Sequence, residues 1–308
     1  MKNEELISKI TLGTAQLGFP YGISNQVGEI SSINASEILK QSIKMKINSF
    51  DTAPNYGKSE ELIGNFIQNS KNNSINITTK IPKIVLGNEG KINSSVHNFI
   101  NQSIKNSSKK LQIEKIPICL LHNPEDMKLF RDDISSSFNK LKKENKIKLS
   151  GVSVYTIEDI KEFLNQNEFD VIQIPINIFN SKIINSGLLS ELKKSNKIIF
   201  ARSIYLQGLF FLNPKKLPTH LEKAKSKLEN LCQISKEYGR SIEDIAFSFI
   251  RDMSEIDSMI IGVESLNQLK NNIKLLNSPT LNDKLVNKIY REFNNISEEI
   301  VNPSLWNK

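Results

Sequence analysis

The chain has 308 residues, of which 38% are hydrophobic and 24% charged, and its formal net charge at pH 7 is +8. This composition excludes an intrinsically disordered chain, and the length exceeds that of most small single-core folds. The lysines alternate with Asn, Glu and Ser on helical patterns, and no basic run contains stacking aromatics, so the charge does not predict nucleic-acid binding.

The cysteines and the N-terminal segment set further limits. Cys119 and Cys232 form neither a disulfide framework nor a metal-ligand spacing. The N-terminal segment MKNEELISKI is too polar for a signal peptide, and no apolar run approaches the ~18 residues of a membrane span. We therefore expect a cytoplasmic protein that does not bind membranes.

Short apolar runs typical of β-strands alternate with helical patterns along the chain. The eight predicted strands comprise residues 10–12, 47–50, 75–79, 116–121, 149–154, 171–176, 197–201 and 258–261. The main predicted helices comprise residues 35–45, 92–111, 130–143, 220–238 and 242–251, with further helices after positions 59, 156 and 266. Two pairs, Asn34 with Glu37 and Thr156 with Asp159, predict capping boxes, and Ser59 is predicted to cap a third helix.

Most of the predicted strands are apolar and β-branched, which is typical of a parallel sheet covered on its outside. Eight strands alternating with helices are enough to close a barrel of about 250 residues. No linker rich in Gly, Ser or Pro interrupts the series. The sequence therefore predicts an α/β fold, a single (β/α)8 TIM barrel with additional C-terminal helices, as one domain over residues 1–308.

Polar side chains stand at the ends of three successive predicted strands. Asp51, Lys80 and His122 each directly follow an apolar run, and Tyr56 lies five residues after Asp51 in the loop DTAPNYG. The carboxyl ends of the strands converge on one mouth of a parallel barrel, so these groups are predicted to meet there. Each group alone has an ordinary structural explanation, such as a turn or a solvated surface, but the combination favours catalysis.

These four side chains have complementary roles in reducing a carbonyl group. A tyrosine with its usual pKa of about 10 is a weak proton donor at neutral pH, and a neighbouring cation lowers that pKa. Lys80 is the predicted cation, and Asp51 is predicted to hold it by a charge-assisted hydrogen bond. His122 is predicted to orient the substrate carbonyl or to relay the proton. The predicted general acid is Tyr56.

Several segments of the chain, in order, resemble the motifs of the aldo-keto reductase superfamily. They are ITLGTAQLG, SFDTAPNYGKSEELIG, TTK, CLLHNP, GVSVY, DVIQIPINIF and GVESLNQLKNN. The resemblance implies a (β/α)8 barrel and a nicotinamide-dependent carbonyl reduction of the class EC 1.1.1.-. It also implies that Asp51, Tyr56, Lys80 and His122 form the catalytic set, with Tyr56 as the acid.

The chain contains neither GxGxxG nor a phosphate loop, so a dinucleotide would not bind through either of these motifs. The resemblance implies a different binding site for the dinucleotide. The residues concerned lie after the later strands. Ser153 and Gln173 would bind the nicotinamide carboxamide. The loop of Ser203, Leu206 and Gly208 would hold the pyrophosphate, and the adenosine-phosphate site would comprise Gly262, Ser265, Gln268 and Asn272.

Two positions depart from the pattern of the superfamily. Arg202 stands where relatives usually carry an aromatic residue that stacks on the nicotinamide, and it is predicted to stack, or to contact the pyrophosphate or an acidic substrate group. Ser265 and Gln268 stand where many relatives have the Lys or Arg that grips the 2′-phosphate, with Glu264 adjacent and Lys270 as the nearest cation. NADPH is the expected cofactor and NADH the alternative.

The expected function is therefore reduction of a small-molecule aldehyde or ketone by a monomer or weak homo-oligomer. The segments GTAQLGFPYGISN and RSIYLQG resemble a bacterial subgroup often associated with surface-sugar biosynthesis, so a sugar-derived carbonyl is the expected substrate. Three alternatives stay open: the reverse reaction as an aldose or alcohol dehydrogenase, a redox-sensing regulatory subunit with little turnover, and a lyase that forms a Schiff base on Lys80.

Overall fold

A computed structural model of the chain describes residues 7–25, 28–70, 75–85 and 95–306. Eight parallel strands close a barrel in the order β1 to β8, with β8 pairing β1. The strands are β1 Ile10–Gly13, β2 Ser49–Asp51, β3 Asn76–Ile81, β4 Ile116–Leu121, β5 Ile147–Ser153, β6 Val171–Pro175, β7 Ile198–Arg202 and β8 Ser258–Gly262. The predicted (β/α)8 TIM barrel is confirmed.

The helices lie between and after the strands. The α-helices are α1 Ala15–Gly18, α2 Ser32–Lys44, α3 Ser59–Ser70, α4 Val96–Leu111, α5 Pro124–Leu129, α6 Arg131–Lys143, α7 Ile157–Leu164, α8 Ser181–Asn185, α9 Leu188–Lys194, α10 Lys225–Tyr238, α11 Ile242–Arg251, α12 Leu266–Leu276, α13 Asp283–Glu292 and α14 Glu298–Val301. Short 3₁₀ segments are Leu206–Phe211, Pro214–Lys216, Thr219–Ala224 and Pro303–Leu305. The helices after α12 are the predicted C-terminal additions. None of the helices in the described ranges is long and apolar enough to cross a membrane.

The alternation of side chains along each strand positions the mouth of the barrel. A cluster separate from the main core, made of Ile118, Leu120, Val171, Ile198 and Phe200, fills the inside of the barrel. Successive residues of a strand point to opposite faces, so the next inward positions are 122 after β4, 173 in β6 and 202 in β7. The polar residues at the mouth thus occupy the next inward-facing positions after the apolar side chains that fill the barrel.

Several predicted element boundaries need correction. Helix α2 begins at Ser32 and is capped by Ser31, whose hydroxyl accepts the Asn34 N–H, so the predicted capping box at Asn34 is wrong. Ser59 is the first residue of α3, and its hydroxyl bonds other side chains. The capping box at Thr156 is confirmed.

Two predicted helices are shorter in the structure than in the sequence pattern. The helix predicted over 92–111 begins at residue 96, and its predicted residues 92–94 lie outside the described part of the chain. The helix predicted over 220–238 is divided into a 3₁₀ segment that ends at residue 224 and the α-helix α10. The first five residues of this stretch therefore adopt a tighter conformation than the period of its apolar residues predicts.

Candidate active site

A cleft of about 590 Å³ opens at the carboxyl ends of the strands. It is lined by the loop after β1, by the ends of several strands, by the loop after β7 and by the start of α12. The predicted residues that line it are Asp51, Tyr56, His122, Ser153, Gln173, Arg202, Ser203, Gly208, Gly262, Gln268 and Asn272. Three other predicted residues, Lys80, Leu206 and Ser265, do not line the cleft.

Asp51 and Lys80 form a buried ion pair at the bottom of this cleft. The Lys80 ammonium lies 2.8 Å from each carboxylate oxygen of Asp51 and donates a further bond to the Thr52 carbonyl at 2.9 Å. Both side chains are almost completely buried. Burial lowers the pKa of Lys80, and the Asp51 charge opposes that shift. The pair holds Lys80 in one position below the cleft.

The Tyr56 hydroxyl lies 3.5 Å from the Lys80 nitrogen, and the Tyr56 ring meets the His122 ring edge-on at a centroid distance of 5.9 Å. Close backbone packing fixes the loop of Tyr56, because a Cβ at Gly18 would lie 1.7 Å from the Tyr56 carbonyl oxygen. The Ser59 hydroxyl adds bonds to the hydroxyls of Thr14 at 2.6 Å and Thr52 at 2.9 Å.

The protonation of Tyr56 differs from the expectation based on Lys80 alone. Burial, and then the Asp51 charge, raise the pKa of Tyr56 well above its ordinary value, while Arg202 lowers it. The charge of Lys80 is matched by Asp51, so the desolvation of the phenol dominates. Tyr56 is therefore a protonated phenol at neutral pH, the form that a proton donor needs.

His122 is an uncharged imidazole in this environment. Burial, followed by the positive charges of Lys80 and Arg202, lowers the pKa of His122 from 6.5 to about 3. Its backbone N–H donates to the Ile81 carbonyl at 3.0 Å and so ties it to the end of β3. A neutral imidazole retains one N–H donor and one acceptor for a substrate.

This shift predicts a pH dependence of stability. Between pH 6.5 and about 3 the unfolded chain protonates His122 and the folded protein does not. The free energy of unfolding should therefore fall as the pH decreases through this window. Urea titrations at pH 7 and pH 5 should show a smaller loss in His122→Gln than in the wild type. Equal losses in the two proteins would contradict the low pKa.

Gln173 and Ser153 lie buried beside this group. The Gln173 amide nitrogen donates to an Asp51 oxygen at 2.5 Å, while its amide oxygen has no hydrogen-bond partner among the described residues. A buried polar atom without a partner costs about 1–3 kcal/mol. The Gln173 oxygen is therefore available to a donor group that enters the cleft.

The loop after β7 has an uncommon backbone conformation. Ser203, Leu206, Gln207 and Gly208 all have positive φ, from +48° to +94°. Gly208 also packs tightly, since a Cβ there would lie 2.0 Å from the Ser24 hydroxyl oxygen. The Leu206 side chain is buried in the core, so any contact of this residue with a cofactor has to come from its backbone.

At the start of α12, Ser265 caps the helix by accepting the Gln268 N–H at 3.3 Å. The Gln268 side-chain oxygen accepts the N–H of Glu264 at 2.6 Å, so Ser265 and Gln268 do not form a reciprocal capping box. Asn272 is buried and accepts a bond from the Tyr205 hydroxyl at 3.3 Å. Gln268 and Asn272 both line the cleft, so the N-terminal part of α12 borders it.

The cleft also contains residues that the sequence did not single out. Among them are four aromatic side chains and one carboxylate: Phe19, Tyr21, Tyr155, Tyr205 and Glu243. Burial raises the pKa of Tyr21 to about 12, with a further contribution from Tyr56. The aromatic residues of the loop after β1 and of GVSVY could have been predicted from the sequence, because loops at this end of a barrel form the site. Glu243 reaches the cleft through the packing of α11, and no sequence pattern around it predicts this position.

Residues 9–291 match the sequence model of the Aldo/keto reductase family. The chain therefore belongs to the aldo/keto reductase family and is an oxidoreductase of that family, which confirms the resemblance found in its motifs.

Individual relatives agree with this assignment. An uncharacterized oxidoreductase of Bacillus subtilis is 24% identical over 90% of this chain and 90% of its own. D-arabinose 1-dehydrogenase of Saccharomyces cerevisiae is 26% identical over 86% of this chain and 81% of its own. The holo form of an aldo-keto reductase from Bacillus halodurans superposes with a TM-score of 0.74 at 20% identity, covering 96% of this chain and 95% of that one.

Proposed function

We propose that the protein reduces an aldehyde or ketone to an alcohol with a reduced nicotinamide dinucleotide, and that Tyr56 is the general acid. The observation that carries this proposal is the buried Asp51–Lys80 pair with the Tyr56 hydroxyl 3.5 Å from the Lys80 nitrogen. This group lies in a cleft that also contains a neutral imidazole, His122.

Each of the four side chains has a separate role in the proposed reaction. The protonated Tyr56 phenol donates its proton to the substrate oxygen, and the phenolate that remains is stabilised by the adjacent Lys80 ammonium. Asp51 keeps the ammonium in place, and the N–H of His122 orients the carbonyl group. When bound, the reduced nicotinamide supplies the hydride.

The cleft fits such a cofactor. The free oxygen of Gln173 and the hydroxyl of Ser153 would bind a carboxamide group, which would satisfy the buried oxygen. Ser203, Gly208 and the backbone at Leu206 would lie along the pyrophosphate. The N-terminus of α12, with Gly262, Ser265, Gln268 and Asn272, would face the adenosine part, since free N–H groups at a helix start favour anions.

The choice between NADPH and NADH depends on the charges at this end of the cleft. The resemblance favours NADPH, but two carboxylates, Glu243 and Glu264, line the cleft here. Burial raises the pKa of Glu264. Among the described residues that line the cleft, Arg202 is the one with a full positive charge. Carboxylates here would repel a 2′-phosphate, so NADH is the second candidate after NADPH.

A gain of positive charge at Gln268 should shift this choice. Gln268→Arg should tighten NADPH binding relative to NADH by about tenfold, because a charge-assisted bond contributes about 1.5–3 kcal/mol. The matched control is Asn267→Arg, which adds the same charge on an exposed position of the same helix. Dissociation constants from nicotinamide fluorescence measure the effect, and an equal ratio in both variants would place the 2′-phosphate elsewhere.

We propose a sugar or sugar-derived carbonyl as the substrate class, acted on by a cytoplasmic monomer or weak homo-oligomer formed by one domain. Relatives named D-arabinose 1-dehydrogenase and L-galactose dehydrogenase support a sugar and keep the reverse reaction as an alternative. A Schiff base on Lys80 has little support, since the ammonium bonds both Asp51 oxygens and the Thr52 carbonyl.

Titration of the purified protein with NADPH and NADH, followed by a panel of aldehydes and aldoses, tests the proposal. We expect saturable binding of at least one cofactor and its oxidation when a carbonyl substrate is added. Binding without oxidation across the panel would favour the redox-sensing alternative. Absence of binding by both cofactors would overturn the proposed function.

A further inference from the structure

Arg202 occupies an unusual place at the mouth of the barrel. It is the last residue of β7 and continues the inward row of Ile198 and Phe200. Its guanidinium donates to the Val154 carbonyl at 2.8 Å and lies 4.5 Å from the centroid of the Tyr155 ring. The side chain therefore reaches from β7 across the end of β6 to the end of β5.

The charge of Arg202 has no counter-ion among the described residues. The other arginines, at positions 131, 240, 251 and 291, each form a salt bridge with a carboxylate, but Arg202 forms none. Lys80, the neighbouring cation, is matched by Asp51. In addition, the Nε of Arg202 is buried without a hydrogen-bond partner. Arg202 is thus a cation at the mouth that forms no ion pair among the described residues, although Glu243 and Glu264 line the same cleft.

This charge acts on the reacting region of the cleft. The charge of Arg202 contributes to the lowered pKa of His122 and opposes the rise in the pKa of Tyr56. Its guanidinium bonds the residue next to Ser153, and Gln173 lies in the strand that it crosses. The groups proposed above to bind the nicotinamide carboxamide are therefore its immediate neighbours.

We propose that Arg202 selects the redox state of the cofactor, so that the protein binds the reduced dinucleotide more tightly than the oxidised one. This inference rests on the proposed function. The oxidised nicotinamide ring carries a positive charge and the reduced ring is neutral, while the rest of the dinucleotide is the same. An unmatched cation beside the ring, partly removed from water, repels the oxidised form and leaves the reduced form unaffected.

Such selection has a direct consequence for turnover. The protein would be loaded with reduced cofactor even when the oxidised form is present in excess, and the oxidised product would leave readily. The chain would then work in the direction of carbonyl reduction with weak inhibition by its oxidised cofactor. The same site with a neutral residue at position 202 would lack this bias.

The test compares dissociation constants for NADH and NAD⁺, and for NADPH and NADP⁺, by isothermal titration calorimetry. Arg202→Gln removes the charge and keeps a donor for the Val154 carbonyl, whereas Arg202→Lys keeps the charge. We expect the wild type and Arg202→Lys to prefer the reduced form by about tenfold or more. In Arg202→Gln the oxidised form should bind about tenfold more tightly, and the reduced form should change little.

Other roles of Arg202 give different results. If Arg202 contacted the pyrophosphate, Arg202→Gln would weaken both redox forms equally, and the inference would be wrong. If it only bound an acidic substrate, neither dissociation constant would change, which would also overturn the inference. Thermal unfolding of each variant checks that it is folded, and Arg202→Met repeats the loss of charge if Arg202→Gln is unstable. Absence of binding to the wild type would instead overturn the proposed function.

Discussion

Replacing Tyr56 with phenylalanine should lower kcat for carbonyl reduction by about 10²–10⁴-fold, the usual contribution of a positioned general acid. The phenylalanine ring can retain the edge-on contact with His122 at 5.9 Å and the contact with Phe19 at 6.3 Å. Only the hydroxyl beside Lys80 is lost, so the dissociation constant of the cofactor should change little. Steady-state kinetics with a fluorescence titration separate the two quantities.

The matched control for this variant is Tyr290→Phe. Tyr290 lies on α13, half-buried against Phe249, and is not one of the residues that line the cleft. Loss of its hydroxyl should leave both kcat and cofactor binding near the wild-type values. Near-normal turnover in Tyr56→Phe would contradict the assignment of Tyr56 as the proton donor and would revive a mechanism based on Lys80.

Replacing Lys80 with methionine should both abolish activity and destabilise the fold. The Asp51 carboxylate is buried, and without Lys80 the Gln173 amide would be its one remaining side-chain donor among the described residues. Breaking a buried ion pair by removing one partner typically costs about 3–5 kcal/mol. The free energy of unfolding from urea titration measures this loss, and circular dichroism checks that the variant is folded at zero denaturant.

The double variant Asp51→Asn, Lys80→Met distinguishes charge from packing in this pair. Asparagine at position 51 retains an oxygen for the Gln173 amide and has no charge that needs a partner. We expect the double variant to regain much of the lost stability and none of the activity. A double variant as unstable as Lys80→Met alone would show that the shape of the lysine side chain, and not its charge, supports the site.

The sequence was sufficient to predict the barrel and the meeting of four polar groups. The apolar runs that precede Asp51, Lys80 and His122 are strands of a parallel barrel, so their ends converge whatever the details of packing. Because side chains alternate between the two faces of a strand, residues 122, 173 and 202 then point into the barrel. These features depend on local patterns, which a single sequence contains.

Other features depend on contacts between distant segments. The reach of Arg202 to the Val154 carbonyl follows from the register of β5, β6 and β7, which the sequence of one strand does not contain. The raised pKa of Tyr56 reflects its burial, whereas the motif contains only the nearby lysine. At α2, Ser31 and Asn34 are both suitable caps, and only the packed helix selects Ser31.

The central claim is that this cleft transfers hydride to a carbonyl carbon, and isotope transfer tests it most directly. The protein would be incubated with an aldose or aldehyde and with NADH or NADPH in which both hydrogens on the reactive ring carbon are deuterium. We predict one deuterium on the carbon of the former carbonyl group in the alcohol product, with one cofactor oxidised for each alcohol formed. Cofactor that binds tightly but stays reduced with every carbonyl compound, or an alcohol without deuterium, would contradict the account.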